Sequence, residues 1–282
     1  MRWFARVQPW RARARRVRAS VVALCALFAW LPTMVGLAEP AAKAERGTKG
    51  GSRMRMVALR IDGQEGDILG PLATWATEAR LRTSLEIERE ATRIDIGSDA
   101  LFGAPLLVWA PSPGAGRLAE PDVDRLREHL GNGGMLWIDD TSASGPSAEI
   151  DSVVRTLAQR LFGRPLETVP VTDVVYRSFY RLTVPVGRRA DTRVLEGLRV
   201  GKRWAILYGR DDLLGALRRA PTGGPASPAV PGGEPQREFA FRLAVNLLVY
   251  ATCLDYKDDH VHVEALLRSR RGRGSRGPTR VR

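Results

Sequence analysis

Two adjacent pairs of aspartates carry the clearest chemical potential in this chain. Asp139 and Asp140 lie inside GGMLWIDDTSASG at 133–145, and Asp211 and Asp212 follow YGR further on. Carboxylates are hard oxygen ligands, so two pairs converging on one point could hold a divalent cation and support hydrolysis through it. The competing use is structural: an aspartate at a turn accepts backbone N–H bonds and fixes the loop. The sequence favours that second use, because a metal site needs several ligands and only the acids are visible. Ser142 and Ser144 would need a base within hydrogen-bond reach, and His129, His260 and His262 all map elsewhere. Arg177, flanked by Tyr176 and Tyr180 in VVYRSFY, can meet an anion in a crevice or a carboxylate inside the protein; the two readings stand level. His260 and His262 with Asp258 and Asp259 have the residue types of a transition-metal site, but a turn or strand tail suits DHVHVEALL better.

These residues matter only if the fold brings them to one place. RMVALRI (55–61) reads as a strand, and Leu72, Trp75, Ala76 and Ala79 mark one face of a helix. SLEIE (84–88) alternates as a strand should, and APLLVWA (104–110) is a continuous apolar run suited to burial on both faces. EPDVDRLREHLGNGG is a helix with Pro121 near its start and Gly131–Asn132 at its stop, delivering the chain to the strand MLWID. A further helix is expected at 147–162, a possible strand at LETVPV, a strand at RWAILYG (203–209) and a long helix at 237–254. Residues 220–236, rich in Pro, Gly and Ala, read as a mobile loop. Strand, helix and apolar strand in succession predict a right-handed crossover. The fold class is therefore α/β, an open and mostly parallel sheet flanked by helices, in one domain over 54–267.

Ligands of such sheets sit beyond the carboxyl ends of the strands. Asp139, Asp140, Asp211 and Asp212 fall there, as does PSPGAG after the strand ending near Ala110. PSPGAG lacks the lysine and helix start of a phosphate loop. Alternation along MLWIDD sends Asp139 and Asp140 to opposite faces, which predicts one structural carboxylate and one facing the crevice.

The formal charge of +13 belongs to the ends. Residues 1–20 hold seven arginines and no acid, as do residues 268–282, and the remainder stands at −1. A domain-wide patch for a phosphate backbone is not supported, and no nucleic-acid partner is expected. The basic start, the apolar run 21–38 and Gly36-Leu37-Ala38 read as an export signal cleaved after Ala38; the alternative is an uncleaved membrane anchor facing the periplasm. Residues 39–53 read as a linker, and 268–282 as a disordered Arg/Gly-rich tail drawn to an anionic membrane surface. Cys253 would be the single cysteine left after cleavage, a buried small hydrophobe unable to form an internal disulfide.

LLVW, LREHLGNGGMLWIDD, YRSFY, WAILYGRDDLLGAL, REFAFRLAVNLLVYA and LDYKDDHVHVEALL together resemble the bacterial family called domain of unknown function 4159, in order along 54–267. The resemblance implies a flavodoxin- or class I glutamine amidotransferase-like fold on exported or membrane-attached proteins. It also implies partners among envelope or membrane proteins, including AAA+ ATPase and von Willebrand factor A-type systems. It implies no established activity. The amidotransferase nucleophile, a cysteine on a tight turn after a strand with an activating histidine, has no counterpart at these strand ends.

The functional expectation is a non-catalytic binding or assembly module of the cell envelope, without a cofactor. Its ligand or partner would sit at the strand-end crevice, and the candidate contacts are Asp139, Asp140, Arg177, Tyr180, Asp211 and Asp212. The alternative is a metal-dependent hydrolase built on the strand-end aspartates.

Overall fold

All four residues of the strand Leu106–Trp109 (LLVW) are buried, which places it at the centre of the sheet. The computed structural model describes residues 53–61, 66–112, 115 and 118–252. The export segment 1–38, nearly all of the linker, Cys253, His260, His262 and the tail lie outside the described residues.

In chain order the elements are β1 (Val57–Arg60), α1 (Leu69–Arg82), β2 (Thr92–Asp95), β3 (Leu106–Trp109), α2 (Glu120–Gly131), β4 (Met135–Asp139) and α3 (Ala148–Phe162). They continue with β5 (Glu167–Thr168), β6 (Leu195–Val200), β7 (Arg203–Gly209), α4 (Leu213–Leu217) and α5 over 233–252. The seven strands form one sheet in the order β2-β1-β3-β4-β7-β6-β5. β2, β1, β3, β4 and β7 run parallel, while β6 is antiparallel to both β7 and β5. The parallel part has the 2-1-3-4-5 order of doubly wound sheets, whose direction of winding reverses between β1 and β3. The open, mostly parallel α/β class expected from the sequence is the class observed.

Alternation along each strand separates two cores. Leu106, Val108, Met135 and Trp137 face a layer made by α1, α4 and α5. Leu107, Trp109, Leu136 and Ile138 face α2 and α3. Trp75 of α1 donates its indole N–H to the Ala244 carbonyl of α5 at 2.8 Å, so the first layer is tied as well as packed. The helix ends obey their local signals. Pro121 lies in the first turn of α2; Ser147 caps α3 by accepting from Ile150 N–H, and Gly163 ends α3 in the left-handed region at φ 64°.

Three local expectations need correction. The edge strand is β2 at 92–95 and not SLEIE; of that stretch, Ile87 forms only a single parallel bridge with Met54. TRID alternates as well as SLEIE does, and the pairing of Thr92–Asp95 with all of β1 decides between them. β6 was absent from the sequence reading. It joins β7 through the two-residue loop Gly201-Lys202, with Gly201 at φ 61°, the backbone that tight hairpin loops require. The loop after α4 is fastened instead of loose: Arg237, 2% exposed, donates to the carbonyls of Ala216 and Ser227, and Gln236 donates to those of Gly187, Arg188 and Val230.

At the amino edge of the sheet, His129 is buried against Gly134, and a Cβ on Gly134 would fall inside the imidazole ring. Burial, helped by the Arg203 charge, pushes the His129 pKa down to about 4. The unfolded chain therefore binds one more proton than the native chain between roughly pH 4 and pH 6.5, and stability must fall as pH is lowered through that window. The contribution is about 3 kcal/mol, fully present above pH 6.5. Urea titrations across pH should show that slope in the wild type and its loss in His129→Leu. Gly134→Ala should destabilise by about 2 kcal/mol, and by less when His129→Ala removes the ring it strikes.

Candidate functional site

Every strand-end aspartate named by the sequence is at the carboxyl edge, and every one is buried: Asp139, Asp140, Asp211 and Asp212 are at most 7% exposed. An ionised carboxylate at that depth must find donors or lose several kcal/mol. Each finds them on the main chain.

Asp139, the last residue of β4, accepts from Leu213 N–H at 3.1 Å and Leu214 N–H at 2.7 Å, the first amides of α4. Asp140 points to the other face and accepts from Ser142 N–H at 3.0 Å and Ser147 N–H at 2.6 Å. Asp211 accepts from three successive amides, those of Asp191, Thr192 and Arg193, at 2.7–3.0 Å. Asp212 adopts the left-handed backbone at φ 57°, caps α4 through Gly215 N–H at 2.8 Å and pairs with the Arg188 guanidinium at 2.5 Å. The segment carrying Arg188 lies flat on the Asp211–Asp212 backbone, with Arg188 N–H on Asp212 O and Arg189 N–H on Asp211 O. Only a glycine fits at 187, because a Cβ there would overlap the Asp211 carbonyl.

Electrostatics follow from this crowding. Burial raises the Asp139 carboxyl well above the usual range, the nearby Asp212 adds to the rise, and the two amide bonds oppose it. Asp212 is also raised by burial, against the pull of Arg188. The void beside Asp139, lined by Trp137, Gly209 and Leu213, is about 10 Å³, enough for one water at most. Among the described residues no three His, Cys, Asp or Glu side chains gather as a metal-binding group.

The opposite-face expectation for Asp139 and Asp140 holds, but the split of roles does not. Neither faces an open crevice, because α4 covers one carboxylate and the 141–147 loop closes over the other.

The open crevice lies one step away. A concavity of about 550 Å³ is lined by Gly66, Pro111, Ser112, the loop 141–147 and Ile150. It sits at the carboxyl ends of β3 and β4 beside the β1/β3 reversal, where doubly wound sheets bind ligands, and its size suits a small-molecule site. Ser112, Thr141, Ser142, Ser144 and Ser147 are among its lining residues, with the start of α3 at one side; the Ser142 hydroxyl is buried and that of Ser147 caps α3. No acid, histidine or lysine is among the described lining residues. The Asp140 bonds to Ser142 and Ser147 set the shape of the loop, and Arg189 steadies it from outside through the Ala143 carbonyl at 3.1 Å.

Arg177 and Tyr180 do not join this edge. Both lie on a strap between β5 and β6 that crosses α5, where the backbone N–H of Tyr180 donates to Asn246 Oδ1 at 2.7 Å. Sequence reasoning also missed Asn246, wholly buried in α5, although one asparagine inside LAVNLLVY is a visible signal. Arg188 and Arg189 left no such signal: Arg188 pairs with Asp212 24 residues on, and Arg189 pairs with Asp191 and reaches the Ala143 carbonyl 46 residues back.

The profile of the domain of unknown function DUF4159 matches residues 67–252. The chain belongs to that family. The matched span begins after β1 and ends with the last described turn of α5. No curated protein matches the chain.

Because all four carboxylates hold backbone, alanine at any of them should destabilise. Asp139→Ala and Asp140→Ala should each lower the unfolding free energy by about 1–3 kcal/mol, and Asp211→Ala, which orphans three amides, by at least as much. Denaturant melts of the single variants check this; a silent Asp139 or Asp140 variant would return that residue to the ligand.

Proposed function

We propose that the protein is a non-catalytic binding or assembly module of the bacterial cell envelope, which holds a ligand or a partner segment in the β1/β3 crevice. One observation carries the reading: the crevice is lined by serines, a threonine and small residues, and no described lining residue is an acid, histidine, lysine or cysteine. A serine nucleophile needs a base, and a hydrolytic metal needs convergent carboxylates. The doubly wound order of the parallel strands supports this reading, and the sequence resemblance implies an amidotransferase-like scaffold whose cysteine nucleophile has no counterpart in this chain. Envelope placement rests on the apolar run 21–38 and the arginine-rich ends. Partners among AAA+ ATPase and von Willebrand factor A-type systems come from the family resemblance, and the tail adds attraction to anionic membrane.

Ser144→Trp fills the crevice from an exposed loop position and should leave the fold intact. The test compares full-length wild type and Ser144→Trp for ligand-induced shifts in Tm across a panel of envelope metabolites and peptides. Stabilisation by a ligand in wild type that the variant loses supports the reading. Ester or phosphoester turnover with Mg²⁺, Mn²⁺ or Zn²⁺ that vanishes in Asp139→Asn would replace it with a hydrolase.

A further inference from the structure

The strap between β5 and β6 presents a surface that the crevice does not explain. Asn246 clamps it from below: the side-chain amide donates to the carbonyls of Val175 and Tyr180, and its oxygen accepts from the N–H groups of Phe179 and Tyr180. Ser178 adds a bond to the Asn246 carbonyl at 2.7 Å. So held, the strap buries Val175 and Tyr176 and turns Val171, Val174 and Phe179 outward, at 55%, 49% and 46% exposure. A buried polar clamp that fixes apolar side chains in water is an arrangement to be explained.

The charges on the strap point to the occupant. Arg177 and Arg181 are exposed and make no hydrogen bond or ion pair among the described residues. The one carboxylate within 170–183, Asp173, is already taken by Val175 N–H and Arg199. The surface continues onto α5 through aromatic contacts. The Phe179 and Tyr180 rings meet edge to face at 4.9 Å, and the Arg242 guanidinium lies 5.4 Å from the Tyr180 ring and 5.6 Å from the Phe239 ring. Arg242 is itself paired with Glu238 at 2.9 Å, so the uncompensated charge is that of Arg177 and Arg181. Apolar side chains beside those two arginines match the headgroup region of an anionic bilayer, where rings enter the acyl boundary and guanidinium groups pair with phosphates. No described helix is long and apolar enough to cross a membrane, so contact through this face would be peripheral.

We propose that the strap face, centred on Arg177, Phe179 and Arg181, docks onto an anionic lipid surface. It acts beside the arginine-rich tail and independently of the crevice. Two weak attachments together give stable anchoring where one gives only transient contact.

The experiment measures partition of the full chain onto vesicles containing phosphatidylglycerol and onto vesicles of phosphatidylcholine alone. The tail is present in every variant, so a difference reports the strap. Arg177→Glu/Arg181→Glu should weaken binding to the anionic vesicles at least tenfold, at about fivefold per arginine. Phe179→Ser should weaken it by about tenfold. Phe102→Ser, which removes an exposed aromatic at the amino edge of the sheet, should change nothing. Circular dichroism melts confirm folding, and if Phe179→Ser unfolds, the arginine variants decide alone. Unchanged partition in those variants overturns the proposal. So does an equal loss in Phe102→Ser, or strap variants that abolish self-association in sedimentation while binding vesicles normally, which would assign the face to a second copy of this chain.

Discussion

Buried carboxylates bonded to backbone N–H groups hold the carboxyl edge of this sheet together. Four aspartates on the ends of β4 and β7 take in eight main-chain amides from the 142–147 loop, the 191–193 loop and the first turn of α4. None of those amides has a strand partner at that point, so each would otherwise be an unsatisfied donor close to the core. Charge and burial oppose one another here. Burial raises the pKa of both Asp139 and Asp212, and at Asp139 the neighbouring Asp212 charge adds to the rise. Arg188 offsets part of that penalty while its own backbone runs along Asp211 and Asp212.

A division of labour follows. The braced half of the edge, over β4 and β7, is filled by protein; its remaining space admits one water. The open half, over β3 and β4, keeps a concavity walled by a serine-rich loop whose curvature is set by Asp140. A site whose walls are fixed before the ligand arrives does not lose affinity to ordering them. Asp140 shapes the crevice from behind its loop, while Asp139, Asp211 and Asp212 hold the filled half of the edge.

The sequence showed the centre of the fold clearly because its signals there are redundant. LLVW and MLWID are apolar throughout, and the helix between them carries its own start and stop. β6 was hidden because LEGLRV mixes charge with apolar residues, and only the Gly201-Lys202 turn marked it. The strand-end aspartates were legible in position and not in role. What decides the role is main-chain amides, which come from 74 and 75 residues away for Asp139, from 18 to 20 residues away for Asp211 and from nearby turns for Asp140 and Asp212, and a reading of side-chain types does not register backbone donors. The place of Arg177 and Tyr180 was not legible for a related reason. Their place depends on the strap crossing α5 at Asn246, a pairing nearly 70 residues apart in the chain.

Amide hydrogen exchange in the metal-free protein tests the central claim most directly. The amides of Ser142, Ser147, Asp191, Thr192, Arg193, Leu213, Leu214 and Gly215 should exchange slowly, with protection near that of β3 and β4, because each is bonded to a buried carboxylate. Added Mg²⁺ or Ca²⁺ should leave their rates unchanged. Fast exchange at these amides, with protection arising only when a divalent cation is supplied, would contradict the account and make the aspartates ligands instead of braces.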